Sequence, residues 1–348
     1  DGTSYNNRSQ IDAAFHPRAN LYLEKKDEPL WTVPISQYRS WFNSSNQGKF
    51  NGRIGEILNI DVEGTIATAK VEILIPKNHQ RYIDMFLLKK LDGHWQILSK
   101  SALPSPSEQQ GERILFIVSS AYFHGDSNLP AGASFSEIVN AYHAFKKAGF
   151  TVDFISPEGG AIPLAYINTS EPLHRQYLYD PDFMYAIGHT KAPMNVKPER
   201  YRAVHYIGGS NAMYGVADNA AIGRIAMTIY EQYDGIISSV CHGTAGIVNL
   251  KTKEGEYLVS GKRISGYPES FENQTRAYFK QFPFLIQKTI EAHGGQFLHS
   301  ERNTAHVEVD GRIVTGQNHL SSALVAERII EMLQNSFTGA NYLPTVVQ

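Results

Sequence analysis

Cys241 is the only cysteine among the 348 residues and the first candidate for chemistry. It stands in the run G-I-I-S-S-V-C-H-G-T-A-G, between an apolar strand and a Gly- and Ala-rich stretch that predicts a helix start. A thiol at such a corner feels the positive end of the helix and nearby backbone N–H groups, which lower thiol pKa values. We therefore expect a reactive nucleophile with an acidic thiol; the alternative is an inert, buried cysteine.

Two neighbouring features could serve a nucleophile at this position. His242 follows directly and could act as a general base, or its backbone N–H could donate to an oxyanion. Gly208 and Gly209 end a predicted strand in Y-I-G-G-S-N, where bare backbone N–H groups can approach a substrate oxygen closely. Each feature is weak alone, since a Gly-Gly pair is also typical of a tight turn.

Two carboxylates are candidates for proton transfer or for orienting a base. Glu137 lies in S-F-S-E, three residues after Ser134, and this pattern is also a capping box that stabilises a helix start without any catalysis. Glu272 follows the strand-like K-R-I-S-G-Y and could orient His242 or be a solvated acidic side chain. Residue types alone favour the capping and the solvated interpretations.

The elements that must position these residues predict a doubly wound parallel sheet. Short β-branched runs alternate with amphipathic helices, which indicates parallel strands covered on both faces. Ligands bind such sheets at the carboxyl ends of the strands, so the loops after Ser119, Ile207 and Val240 are the places to expect a site. The predicted strands are 113–119, 151–155, 202–207 and 235–240, and the clearest predicted helices are 135–148 and 219–233.

The chain before residue 99 has a different pattern. Alternation over Ile66 to Ile75 predicts a strand with one wet face, and Asp92-Gly93 between two apolar runs predicts a hairpin. The stretch 99–112, S-K-S-A-L-P-S-P-S-E-Q-Q-G-E, has the composition of a connector. We therefore expect an α+β domain at residues 1–102 with a curved antiparallel sheet, a linker at 103–112, and an α/β domain at 113–348.

Composition limits the classes of partner. The formal net charge is −2 with 19% charged residues, so no excess of one sign exists to attract nucleic acid or anionic lipid. No apolar run approaches the roughly 18 residues that a membrane span needs. We expect a soluble protein with a small, nearly neutral substrate and no nucleic-acid or membrane partner. The sequence begins with Asp1 rather than Met, so a targeting segment could have preceded it; cytoplasm is the default compartment.

The second domain resembles the ThiJ/PfpI superfamily, in the branch of heat-shock chaperone-type proteins and glutathione-independent (class III) glyoxalases. The resemblance covers nearly all of residues 113–333 and rests on S-E-I-V-N-A-Y-H-A-F-K-K-A-G-F-T-V-D-F-I-S-P-E-G-G, S-V-C-H-G-T-A-G, L-V-S-G-K-R-I-S-G-Y and V-D-G-R-I-V-T-G-Q-N. It implies a flavodoxin-like fold with Cys241 as nucleophile and Glu137 as its hydrogen-bonded carboxyl partner. It also implies His242 and Glu272 as the rest of a triad, and Gly209 and His242 as oxyanion donors.

The sequence departs from that branch at one motif. Where the branch commonly has P-G-G-H-G, this chain has I-G-G-S-N, so a histidine near the pocket is missing. The segment 165–200, with Tyr179, Met184 and Met194, is expected to shape the pocket rim. His306 falls near the family's last loops and is interpreted as a partly buried structural histidine.

The first domain resembles the nuclear-transport-factor-like cone in its lumazine-binding-like or SnoaL-like form, through F-H-P-R-A-N-L, A-T-A-K-V and F-L-L-K-K-L-D-G-H-W-Q-I-L-S-K. Such cones bind a small molecule or serve as dimerisation modules. His16 and Asp84 could face a cavity, but ordinary surface or wall positions are favoured for both. We therefore expect this domain to make the protein a homodimer.

The resemblance implies a glyoxalase that converts 2-oxoaldehydes such as methylglyoxal to 2-hydroxy acids with neither cofactor nor metal. Two alternatives stay open. The same Cys-His-Glu set can perform amidase or peptidase-like hydrolysis. The protein could also be a stress-response chaperone or redox sensor, in which Cys241 is oxidised to a sulfinate held by protonated Glu137.

Overall fold

The computed structural model describes residues 1–42 and 44–338 of the chain. They form two compact units, one of residues 1–111 and one that begins at residue 112. Each unit contains its own six-stranded sheet. In the part of the chain that is described, no helix has both the length and the apolar character needed to cross a membrane.

The first unit is an α+β domain with a mostly antiparallel sheet. Its elements are α1 (Arg8–Ala14), β1 (Phe15–Lys25), β2 (Glu28–Pro34), α2 (Ile35–Ser40), β3 (Ile54–Glu63), β4 (Ile66–Ile75), β5 (Gln80–Leu91) and β6 (His94–Pro106). The strand order is β2-β1-β6-β5-β4-β3, with β1 and β6 parallel. The turn between β5 and β6 has φ of 48° at Asp92 and 85° at Gly93, as the predicted two-residue hairpin requires.

The connector expected at 99–112 is shorter than the composition indicated. Strand β6 runs through most of it to Pro106 and pairs with β5 as far as Gln80. The last partner of β6 on β1 is at Ser101, so beyond that residue β6 is an edge strand. Proline is tolerated on an edge because no neighbour there needs its N–H. The Pro- and Ser-rich composition therefore marks the part of β6, residues 102–106, that pairs with β5 on one side and has no strand on the other. The linker predicted at 103–112 begins only after Pro106.

The two residues considered for a cavity in the first unit have ordinary partners. The carboxyl of Asp84 and the Nζ of Lys100 form an ion pair at 2.6 Å, with both side chains buried. His16 accepts a hydrogen bond through Nδ1 from the Arg18 N–H at 3.1 Å. Both arrangements are those of wall and surface residues.

The second unit is a doubly wound α/β domain. Its elements are β7 (Arg113–Ile117), β8 (Ala133–Ser134), α3 (Phe135–Lys147), β9 (Thr151–Ile155), β10 (Leu164–Ala165), α4 (Pro172–Leu178), α5 (Pro181–Gly188), β11 (Tyr201–Tyr206), α6 (Ala220–Gln232), β12 (Ile236–Val240), β13 (Arg263–Ile264), α7 (Ile286–Ala292), β14 (Gln296–Phe297), β15 (Val307–Asp310), β16 (Ile313–Gly316) and α8 (Ser322–Thr338). The predicted strands and helices agree with these bounds to within two residues.

The main sheet of this unit has the order β15-β16-β12-β11-β7-β9, parallel except for the edge strand β15. Apart from that edge, this is the flavodoxin-like order 2-1-3-4-5. Helices α6 and α7 pack on one face, and α3, α4, α5 and α8 pack on the other. The predicted doubly wound fold is therefore confirmed, and the loops after β7, β11 and β12 meet at one edge of the sheet.

Candidate active site

Cys241 occupies a strained corner directly after β12. Its φ is 56°, a left-handed conformation that is uncommon outside glycine and concentrates at functional sites. The segment that follows is a 3₁₀ helix, Cys241–Ile247, and not the start of an α-helix as predicted. The tight turn depends on Gly243, where a Cβ would overlap the Tyr206 carbonyl oxygen and lie 2.8 Å from the Ile207 carbonyl carbon.

Glu137 lies in the first turn of α3 and points at the thiol. Its N–H donates to the Ser134 hydroxyl at 3.4 Å, which is half of a capping box. The other half is absent among the described contacts, because the Ser134 N–H donates to the Gly208 carbonyl at 3.0 Å. The Glu137 carboxyl instead accepts the Gly208 N–H at 2.9 Å and hydrogen bonds with the Cys241 thiol and the Ser134 hydroxyl. The capping interpretation therefore does not account for the bonds of this carboxyl to Gly208 and Cys241.

Burial sets the proton affinity of this pair. It raises the pKa of Glu137 from 4.5 to about 7, against hydrogen bonds from Cys241 and Gly208 that lower it. Burial also raises the pKa of Cys241 well above its ordinary value, and the Glu137 carboxylate raises it further, while the His242 N–H acts in the opposite direction. The expected acidic thiol is therefore wrong. A buried thiol beside a carboxylate holds its proton.

His242 also lies close to the sulfur and is held by Glu272. Its Nδ1 is 3.5 Å from the Cys241 Sγ, and its Nε2 is 2.5 Å from Glu272 Oε1. Glu272 also accepts a hydrogen bond from the Tyr278 hydroxyl at 2.9 Å. Burial tends to raise the pKa of Glu272, but the hydrogen bond and charge of His242 outweigh it and bring the pKa below 4.5. The Glu272 side chain is only 7% exposed, so it is not the solvated carboxylate that its residue type alone favoured.

The two glycines of the Gly-Gly loop have different surroundings. The Gly208 N–H is used by Glu137, and a Cβ at this position would lie 2.5 Å from Glu137 Oε2 and 3.0 Å from the Cys241 Cβ. Gly208 therefore orients the carboxyl, which corrects its assignment as an oxyanion donor. Gly209 has φ of 104° and lines the pocket, so it remains the candidate donor to a substrate oxygen.

These groups open into a pocket of about 750 Å³. Neither Lys nor Arg is found among the described residues that line it, although Arg302 hydrogen bonds with Tyr267, one of the lining residues. The lining residues are His124, Pro130, Ala131, Gly132, Ser134, Ser136, Glu137, Leu164, Ala165, Tyr166, Asn168, Glu171, His174, Gly209, Ser210, Cys241, His242, Tyr267, Glu272, Tyr278, Phe282 and His319. Among the residues described, no group of three or more His, Cys, Asp or Glu is arranged to hold a metal ion.

The pocket contains a histidine, His124, that the sequence motifs did not indicate. His124 is 4% exposed and its Nδ1 is 3.2 Å from the Tyr214 hydroxyl. Its ring packs near those of Tyr278 and Phe282. Burial lowers the pKa of His124, and the charge of His242 lowers it further. Its position in the loop after β7 is the signal that could have revealed it, because that loop lies at the carboxyl edge of the sheet.

The expected rim residues lie elsewhere. Tyr179 and Met194 are 77% and 89% exposed and are not among the lining residues, while Met184 packs against the apolar core. The wall on this side comes from residues 164–174, which begin with strand β10. His306 bonds Ser300 at 2.8 Å and Glu308 at 3.0 Å, outside the pocket, as expected of a structural histidine.

Proteins of similar sequence include several that are named as glyoxalases. Among curated relatives, a glutathione-independent glyoxalase of Schizosaccharomyces pombe is 26% identical over 239 residues, 64% of this chain and 98% of the relative. Glyoxalase 3 of Candida albicans is 26% identical over 223 residues, 60% of this chain and 92% of the relative.

Solved structures show the same fold. Rapid Encystment Protein 24 kDa of Francisella tularensis has a TM-score of 0.60 at 24% identity, covering 64% of this chain and 99% of that one. Glyoxalase III of Candida albicans has a TM-score of 0.58 at 23% identity, covering 63% and 96%. Residues 1–101 match the model of putative lumazine-binding domains, and residues 129–332 match that of the DJ-1/PfpI family. The chain therefore belongs to the DJ-1/PfpI family and carries a lumazine-binding-like domain ahead of the family domain.

Proposed function

We propose that this protein is a glutathione-independent glyoxalase, which converts a 2-oxoaldehyde such as methylglyoxal to a 2-hydroxy acid through Cys241. The observation that carries the proposal is a sulfur with two proton-handling groups close to it. Glu137 hydrogen bonds to it, and His242, held by Glu272, lies 3.5 Å away. The glyoxalase names of the relatives support the same activity.

The first step is addition of the thiol to the aldehyde carbon, C1. Glu137 takes the thiol proton as Sγ bonds to C1, and the backbone N–H groups of Gly209 and His242 donate to the C1 oxygen. A carboxyl with a pKa of about 7 suits this role, because it is partly ionised at neutral pH and still basic enough to accept a proton. The product is the alkoxide form of a thiohemiacetal on Cys241, with the thiol proton held by Glu137.

The second step moves a hydrogen between the two carbons. His242 removes the C1 proton, which gives an enediolate; protonated Glu137 delivers the former thiol proton to C2, and His242 passes its proton to the C2 oxygen. C1 is thereby oxidised and C2 reduced within one molecule, so the step needs no external oxidant or cofactor. Water then cleaves the resulting thioester to release the 2-hydroxy acid and the free thiol.

A side-by-side assay tests the proposal against its rivals. Wild type and Cys241→Ser are given a panel of 2-oxoaldehydes and of amide substrates, and products are identified by mass. We expect 2-hydroxy acid from wild type and none from the variant. Hydrolysis of amides alone would identify a cysteine hydrolase. No turnover of either class, with sulfinate formation at Cys241 under mild peroxide, would identify a redox sensor.

A further inference from the structure

Tyr166 stands in an unusual position at the pocket wall. It follows strand β10, whose pairing with β8 brings Ala165 beside Ser134, the residue that caps the helix of Glu137. Its φ of 58° is left-handed, which is rare for a bulky side chain. The ribbon of β8 and β10 therefore fixes the Tyr166 backbone relative to the helix that carries Glu137.

Tyr166 and Ser210 both line the pocket. Tyr166 as a whole is 62% exposed, but its hydroxyl hydrogen bonds with the Ser210 side chain. Burial, and after it the negative charges of Cys241 and Glu137, raise the pKa of Tyr166 to about 12. The hydroxyl therefore keeps its proton at neutral pH and is a hydrogen-bond donor rather than a base.

Its partner Ser210 directly follows Gly209 and is itself anchored. The Ser210 Oγ accepts the Gly132 N–H at 3.3 Å, which ties it to the segment that leads into α3. Ser210 also stands where the P-G-G-H-G pattern has its histidine. In this chain, Ser210 and Tyr166 contribute a pair of neutral hydroxyl groups to the pocket that Cys241 also lines.

We propose that Tyr166 is a catalytic residue whose hydroxyl, oriented by Ser210, donates a hydrogen bond to the C2 oxygen of the 2-oxoaldehyde bound to Cys241. This inference rests on the proposed function. Charge builds up on the C2 oxygen as the C1 proton leaves, whereas the N–H groups of Gly209 and His242 serve the C1 oxygen. The lining residues described include no Lys or Arg, so the Tyr166 hydroxyl complements protonated His242 in stabilising that charge.

Three variants test this role with methylglyoxal as the substrate. Removing one preorganised donor costs about 100-fold or more in kcat, so we expect a loss of that size in Tyr166→Phe with little change in KM. Ser210→Ala should lose less, because the tyrosine hydroxyl remains. The double variant should be no slower than Tyr166→Phe, since Ser210 acts through Tyr166. Tyr122→Phe is the matched control, because Tyr122 is 52% exposed and its hydroxyl bonds the Ala161 carbonyl outside the pocket lining.

Melting temperature and iodoacetamide labelling of Cys241 are measured on the same preparations. Wild-type values in Tyr166→Phe, together with the loss in kcat, support a catalytic role over a structural one. Wild-type kcat in Tyr166→Phe, or a rise in KM alone, would overturn the inference while leaving the proposed function intact. If Tyr166→Phe does not fold, Ser210→Ala decides, and an unchanged kcat there overturns the inference. A wild type that turns over no 2-oxoaldehyde overturns the proposed function and this inference with it.

Discussion

Replacing Glu137 by Gln should make the protein more stable at alkaline pH and nearly inactive. Gln keeps an oxygen that can accept the Gly208 N–H but cannot ionise, so the variant never has to bury a charge. The pKa of Glu137 in the folded protein is about 7, against 4.5 as its ordinary value. Its contribution to stability is therefore fully present below about pH 4.5 and is lost as the pH rises through 7.

The size of the effect follows from that difference. At 1.36 kcal/mol per pKa unit, ionising Glu137 costs wild type about 3 kcal/mol above pH 8, of which roughly 2.5 kcal/mol develops between pH 5 and pH 8. We expect the free energy of unfolding of Glu137→Gln, relative to wild type, to rise by about that amount over the same interval. Turnover should fall by about 10²- to 10⁴-fold, as expected for loss of a general base.

Urea denaturation of both proteins at several pH values measures this, with activity assayed on the same samples. Glu254→Gln is the control, because the Glu254 side chain is 62% exposed and its ion pair with Lys253 is 3.7 Å long. It should leave the pH dependence as in wild type. A stability difference for Glu137→Gln that does not change between pH 5 and pH 8 would refute the raised pKa. Full activity in that variant would return Glu137 to a structural role.

Two further predictions concern the thiol and the first domain. Iodoacetamide should label Cys241 more slowly at pH 7 than it labels a free cysteine, because the pKa of the Cys241 thiol is raised. In Glu137→Gln, labelling should be faster than in wild type, because the negative charge beside the thiol is gone. A fast, pH-independent reaction in wild type would contradict the raised pKa. Residues 113–348 expressed alone should keep the labelling behaviour of Cys241, since all described pocket residues lie within them. They should sediment as a monomer, whereas we predict a dimer for the full chain. A folded fragment whose thiol behaves like free cysteine would show that the first domain completes the site.

The sheet of the second unit was predictable because its strands are buried on both faces. Buried parallel strands read as continuous β-branched runs, and their alternation with amphipathic helices indicates a parallel sheet covered on both faces. The flavodoxin-like strand order was implied by the family resemblance. The turn at Cys241 was predictable because it directly follows one of these buried strands, β12. The connector was not, because the Pro-rich end of β6 is held by one neighbour only, and edge pairing leaves no periodic signal in the sequence.

The site itself was only partly accessible to sequence reasoning. Glu272 meets His242 across 30 residues of chain, and physical pattern alone favoured a solvated carboxylate. Tyr166 and His124 lie in loops, where side-chain direction depends on tertiary contacts rather than on periodicity. The acidic thiol was expected from the start of an α-helix, but the chain forms a 3₁₀ helix at this point. Burial raises the pKa of the Cys241 thiol instead of lowering it.

The volume of the pocket limits what non-covalent affinity can contribute. Methylglyoxal has five non-hydrogen atoms, and a ceiling of about 1.5 kcal/mol per atom gives at most about 7.5 kcal/mol, a dissociation constant no tighter than micromolar. A cavity of about 750 Å³ is of the size that holds drug-like ligands, so most of it stays hydrated around so small a substrate. In the proposed mechanism, retention of short 2-oxoaldehydes would then depend on the covalent bond to Cys241, and the water in the pocket could hydrolyse the thioester. Larger uncharged compounds that fill the cavity would displace that water and act as strong competitive inhibitors.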